Sequence, residues 1–226
     1  MNLLPSYLMI KLNSNKLILF IIAASLSLSA NAQKIIDIFN LLPGAAALEI
    51  SVQDRKQMFK DYQAGNKTRQ GDGSYRFGIV DTKSGYLNIE GGIEGKWEMC
   101  YWNLPNRNQL VAIYQEGCGP ACDIELFEFY IYNGKTLVKQ DFNKIIPDVE
   151  QDFFKQNPEQ SKRKLEEEDQ NPVLLFQLPR KGSSIIATFT DGVNENKTID
   201  KKYLKGNQME LLWNNGKFKK GKIYWK

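Results

Sequence analysis

The sequence predicts an α+β fold: N-terminal helices packed on an antiparallel β-meander, with the helix-then-strands layout repeated in the C-terminal part. Three observations carry this expectation. Apolar residues recur at helical spacing between residues 35 and 62; short β-rich runs separated by turn-forming residues follow from Tyr75 to Gln140; and a helical stretch followed by strands returns after Pro147. Connections this short force antiparallel neighbours rather than crossover units.

Ahead of the helices, residues 1–32 read as a signal peptide. Lys11 and Lys16 form a basic n-region, Leu17 to Leu28 an apolar h-region, and Ala30-Asn31-Ala32 a small-residue cleavage site. Met9 as the start would give a leader of more usual length. The h-region falls short of the ~20 residues that span a bilayer. The expected mature chain begins at Gln33, has no membrane span after cleavage, and is exported, periplasmic or secreted, into an oxidising compartment.

Ile35, Ile36, Ile38, Phe39, Leu41 and Leu42 then predict a helix that stops at Pro43-Gly44. A second helix starts at Ser51 with Asp54, buries Met58, Phe59 and Tyr62, and ends at Gly65. Six strands follow, at 75–81, 86–90, 96–103, 109–116, 123–132 and 135–140, the last two joined by a type I′ turn at Asn133-Gly134. Residues 148–156 suit a short helix with Val149, Phe153 and Phe154 facing inward. Asn157-Pro158 caps a charged helix that ends by Pro172, with Leu165 as its one large apolar residue. Strands return at 172–178, 184–190, 208–214 and 217–225, with a second type I′ signal at Asn215-Gly216 that sets Trp213 against Phe218. The chain thus divides into a leader (1–32), helices with a six-stranded meander (33–146), a helical, highly charged connector (147–171) and C-terminal strands (172–226) in the same domain or a second one.

Turn lengths give a register for the central hairpins. Trp102 is expected opposite Leu110, Met99 opposite Ile113, and, with a symmetric loop at Pro120, Ile113 opposite Phe127 and Val111 opposite Phe129. One face then collects Met99, Tyr101, Val111, Ile113, Phe127, Phe129 and Ile131 as a core face. The other collects Glu98, Cys100, Trp102, Leu110, Tyr114, Leu126, Glu128, Tyr130 and Tyr132. Trp102, Tyr114, Tyr130, Tyr132, Glu98 and Glu128 are therefore the candidate binding residues, because rings with polar handles beside carboxylates suit a half-wet surface. The alternative is that a helix covers this face.

Cys118 and Cys122 flank three residues at a hairpin tip and are expected to form a disulfide, since directly opposed antiparallel positions lie within bridging distance. Cys100 reads as a small buried apolar residue. The chain has no histidine, which removes Ser-His and Cys-His pairs and imidazole metal ligands. No metal site, cofactor or catalytic residue is expected. The formal charge of +4 comes from 30 basic and 26 acidic residues, too small an excess for a nucleic-acid partner.

The strings Ala30-Asn31-Ala32-Gln33, Gly85-Tyr86-Leu87-Asn88-Ile89-Glu90-Gly91, Trp97-Glu98-Met99-Cys100-Tyr101-Trp102 and Gly117-Cys118-Gly119-Pro120-Ala121-Cys122 resemble a group of uncharacterised exported proteins of Bacteroidetes. The resemblance covers residues 30–155; it implies a bacterial envelope or secreted protein and lends no activity. In outline the layout is also similar to small periplasmic inhibitor-like modules, an analogy of layout alone. The functional expectation is an exported, non-catalytic binding or interaction module whose partner is a protein, a peptide or a glycan. The alternatives are an enzyme using carboxylates or Cys100 and a structural envelope component.

Overall fold

The computed structural model describes residues 34–66, 75–193 and 199–226; the expected leader lies outside them. Helix α1 (34–41) buries Ile35, Ile36, Ile38 and Phe39 on one side. Helix α2 (Val52–Gln63) starts where the Ser51 hydroxyl accepts the Asp54 N–H at 3.1 Å, and the chain leaves it through Gly65 at φ +75°. Arg55 ties the two helices together. Its guanidinium is buried and donates to the carbonyls of Phe39 (3.0 Å), Leu42 (2.8 Å) and Ile50 (2.8 Å). A cation thus satisfies the orphaned carbonyls at the end of α1, where the helix dipole is negative.

Strands β1 (Arg76–Asp81), β2 (Tyr86–Glu90), β3 (Gly95–Asn103), β4 (Gln109–Cys118), β5 (Cys122–Tyr132) and β6 (Leu137–Gln140) form one antiparallel sheet in sequence order. Helices α3 (Phe142–Ile145) and α4 (Pro158–Glu167) flank a 3₁₀ turn at Glu150–Phe153, which stands where the sequence suggested a helix and buries Val149, Phe153 and Phe154 as expected. Asn157 caps α4 by accepting the Gln160 N–H at 3.0 Å. Strands β7 (Pro172–Gln177), β8 (Ile185–Asp191), β9 (Gln208–Asn214) and β10 (Lys217–Tyr224) make a second sheet in the order β10-β9-β8-β7. Asn215 and Gly216 both take positive φ, and Trp213 pairs with Phe218. The β5–β6 connection differs from its expected two-residue turn. Residues 133–136 form a four-residue loop because the Asn133 side chain accepts the N–H groups of Lys135 and Thr136.

The β3–β4 register is the expected one, with Trp102 opposite Leu110 and Met99 opposite Ile113. The β4–β5 register is not. Cys118 pairs with Cys122 as expected, but a bulge sets Gln115 opposite Leu126 and Glu116 opposite Ile124, leaving Glu125 as an extra residue. Every residue after it changes face. Phe127, Phe129 and Ile131 join Cys100, Trp102 and Tyr114, whereas Glu128, Tyr130 and Tyr132 join Met99, Val111 and Ile113.

Both faces are covered. Helices α1 and α2 pack on Leu87, Trp97, Met99, Val111, Ile113 and Tyr130, and the Trp97 indole N–H donates to the Ala46 carbonyl at 3.1 Å. The opposite face packs on the second sheet rather than on a helix: Trp102 stacks on Trp213 at 5.5 Å and meets Phe218 at 5.1 Å, and Phe127 meets Phe176 at 4.9 Å. One apolar cluster runs through residues of both sheets and the 142–154 segment. Replacing Trp102 or Phe129, both inside this cluster, with Ala should each cost about 3–5 kcal/mol. Denaturant titration checks this, and a Trp102→Ala loss within about 0.5 kcal/mol, as for an exposed residue, would contradict the packing.

Candidate functional site

Alternation along β3 and β4 puts Lys96, Glu98, Tyr114 and Glu116 on the face that meets the second sheet, with Lys96 opposite Glu116 and Glu98 opposite Tyr114. They meet β7, whose outer edge has no strand neighbour among the described residues. The Tyr114 hydroxyl accepts the Phe176 N–H at 3.1 Å, the Lys96 ammonium donates to the Phe176 carbonyl at 3.0 Å, and a Glu98 oxygen accepts the Leu178 N–H at 2.7 Å. The same side chains bond one another. Tyr114 donates to Glu116 at 3.0 Å, Tyr86 donates to Glu98 at 2.9 Å, and Lys96 stands 3.7 Å from each carboxylate.

Burial governs the titration of this seam. Glu98 is 2% exposed, and desolvation raises its pKa above the usual carboxylate value; Lys96 and the two donated hydrogen bonds offset only part of that. Desolvation also raises the Tyr86 and Tyr114 hydroxyls, with Glu98 and Glu116 adding to it. Cys100 lies fully buried beside them, and the same cause pushes its thiol well up, which works against a thiolate nucleophile.

At one end the seam reaches the disulfide. Cys118 is bonded to Cys122, and the Cys118 sulfur lies 3.8 Å from a Glu116 oxygen. The loop is held at both ends, by the Cys118 N–H on the Glu94 carbonyl and by the Cys122 N–H on the Gly192 carbonyl at 2.6 Å. Glu116, Cys118 and Cys122 gather within 4.8 Å of one another. With its sulfurs joined, this group offers a metal one carboxylate and no thiolate.

The six expected binding residues therefore do not share one surface. Glu98, Trp102 and Tyr114 lie in the seam between the sheets, where the Trp102 indole N–H donates to the Ser183 carbonyl at 2.8 Å. Glu128, Tyr130 and Tyr132 lie on the helix-covered side; Tyr130 donates to Glu128, which also pairs with Lys139. Burial raises the hydroxyls of Tyr130 and Tyr132. Sequence reasoning passed over Lys96 and Tyr86 and counted Glu116 only among the carboxylates open to an enzyme, although the expected β3–β4 register already set Lys96 opposite Glu116.

The outer face of the second sheet is the broad sheet surface left uncovered among the described residues. By alternation it carries Val173, Ile186, Thr188, Thr190, Gln208, Glu210 and Leu212, half-buried or exposed, beside Lys217 and Lys219. A cleft of about 430 Å³ continues it under the β7–β8 loop, lined by Gln177, Arg180, Lys181, Ser184, Ile186 and Glu210 among others. No helix of the described residues is long and apolar enough to cross a membrane.

The sequence model of the family described as "Protein of unknown function (DUF3256)" matches residues 27–218. The chain belongs to this family. No curated protein matches it. A solved structure, a domain of an uncharacterized protein from Porphyromonas gingivalis W83, is similar at a TM-score of 0.61 with 12% identity, over 82% of this chain and 96% of that one. That likeness concerns the fold, and it agrees with the resemblance to an uncharacterised Bacteroidetes group.

Because the folded-state pKa of Glu98 is raised, its protonated form favours folding: that contribution is full below the unfolded value and is lost as pH rises through the folded one. Glu98→Gln should therefore gain stability relative to the native chain as pH is raised from about 4 to 7. Glu98→Ala, which leaves Leu178 N–H and Tyr86 O–H without an acceptor, should lose about 1–3 kcal/mol per group. Urea titrations across that pH range measure both, and a Gln variant whose relative stability falls with rising pH would contradict the assignment.

Proposed function

We propose that this DUF3256 chain is an exported, non-catalytic binding module that holds an extended glycan on the outer face of its second sheet. The observation that carries the proposal is the character of that face. It is broad and bears hydroxyl and amide groups, Thr188, Thr190 and Gln208, with Leu212 as its exposed aliphatic contact. Side chains of this kind hydrogen-bond a hydroxylated chain, whereas a tight protein interface is built on aromatic anchors in pockets; Phe176, Phe189 and Phe218 of this sheet point into the core, and the exposed ring of the outer face among the described residues is Tyr224, opposite Gln208. Export is supported by the leader pattern in residues 1–32 and by the Cys118–Cys122 pair, which suits an oxidising compartment.

Retention of the chain from Gln33 onward on purified envelope polysaccharide of the producing organism tests the binding. Thr188→Arg with Leu212→Asp should weaken retention at least about tenfold, while surface changes of this kind usually alter stability by less than about 0.5 kcal/mol each. Retention unchanged by the pair would overturn the surface assignment. The intact mass of the native protein should correspond to a start at Gln33, and a retained leader would overturn the export reading.

A further inference from the structure

The formal charge of the whole chain is +4, yet residues 199–226 alone hold eight lysines against Asp200 and Glu210. The excess is therefore gathered at the C-terminal end, and the rest of the chain is slightly acidic. Part of it is used internally. Lys220 pairs with Asp152, Lys202 with Glu168 at 3.8 Å, Lys205 donates to the Asp152 carbonyl at 3.0 Å, and Lys201 lies 5.0 Å over the Trp225 ring. Lys217, Lys219 and Lys222 of β10 are exposed and make no ion pair among the described residues.

Their placement is specific. Phe218 is buried in the core between Lys217 and Lys219, so alternation turns both lysines to the outer face, where Lys219 stands opposite Leu212 and Lys217 opposite Asn214. Ile185 pairs with Leu211, which brings this same end of the sheet level with the β7–β8 loop and its Arg180 and Lys181. Arg180 is anchored on Asp81 at 3.2 Å, and Lys181 is exposed. Cations thus border the face on both sides, two to three strand spacings or roughly 10–14 Å apart, with Glu210 the carboxylate between them. That separation exceeds the reach of a single small anion and suits a polymer with repeated anionic groups.

We infer that the glycan is acidic, a polysaccharide carrying carboxylate or phosphate groups along its length, and that Lys217, Lys219 and Lys181 select it. The inference rests on the proposed glycan-binding face and adds the charge of the ligand. An anionic bilayer is the less suited occupant, because the face between the cations carries the Glu210 carboxylate and the Thr188 hydroxyl, and its apolar side chains there, Ile186 and Leu212, do not make the continuous apolar face that enters a membrane interface.

The test uses the full chain from Gln33 with polygalacturonate as the acidic polymer, dextran as the neutral one, and vesicles of phosphatidylglycerol and phosphatidylcholine. Polygalacturonate should bind, and more weakly as salt rises, since exposed charges are screened. Lys217→Glu with Lys219→Glu should reduce that affinity at least tenfold, and Glu210→Gln should raise it a fewfold. Lys56→Glu with Lys60→Glu on α2, the same change in net charge on a distant exposed surface, should leave it nearly unchanged. Equal binding of dextran and polygalacturonate would remove the acidic preference and keep the glycan face. Equal damage from the α2 pair would reduce the effect to net charge and overturn the inference. Binding to vesicles alone would transfer the surface to lipid, and binding to none of the three would overturn the acidic ligand, leaving the retention experiment on envelope polysaccharide to judge the face.

Discussion

A strand at the edge of a sheet exposes a row of unpaired N–H and C=O groups, and burying that edge without partners is costly. The fold depends on how the β7 edge is satisfied. No strand of the described residues pairs with it; side chains standing on the six-stranded sheet do, with Tyr114 and Glu98 accepting the N–H groups of Phe176 and Leu178 and Lys96 donating to the Phe176 carbonyl. This allows two antiparallel sheets to share one core through Phe127, Trp102, Trp213 and Phe218. It also accounts for ionisable groups at such depth. Lys96 lies between two carboxylates and each carboxylate takes a tyrosine hydroxyl, so the charges are paired and hydrogen-bonded, as buried charges must be.

Much of this architecture was legible in the sequence because it rests on local chemistry. Asn215-Gly216 forces a tight hairpin through two positive φ angles, Ser51 and Asn157 mark helix starts with side-chain oxygens, and the loop between Trp102 and Leu110 fixes the β3–β4 register. Asn133-Gly134 carried the same signature as Asn215-Gly216 and gave a different turn. There only Gly134 takes a positive φ, and the Asn133 side chain closes the loop.

What could not be read is non-local. The extra residue at Glu125 has no turn-forming signature, yet it moves Glu128, Tyr130 and Tyr132 from one face of the sheet to the other and divides the expected set of binding residues. Aromatic and acidic side chains alternating on a strand look the same whether they face water or close another sheet's edge. The deciding feature is that β7, some 60 to 80 residues further along the chain, brings unpaired backbone groups to them. With those residues committed to the seam, the broad sheet surface left uncovered among the described residues is the outer face of the second sheet, whose Thr and Lys residues have no motif to announce them.

Amide hydrogen exchange at Phe176 and Leu178 tests the central claim most directly. If Tyr114 and Glu98 hold these two N–H groups, both should be protected to the level of the ladder-bonded amides of β8, although no strand of the described residues lies beside them. Exchange at the rate of free edge amides would contradict the account.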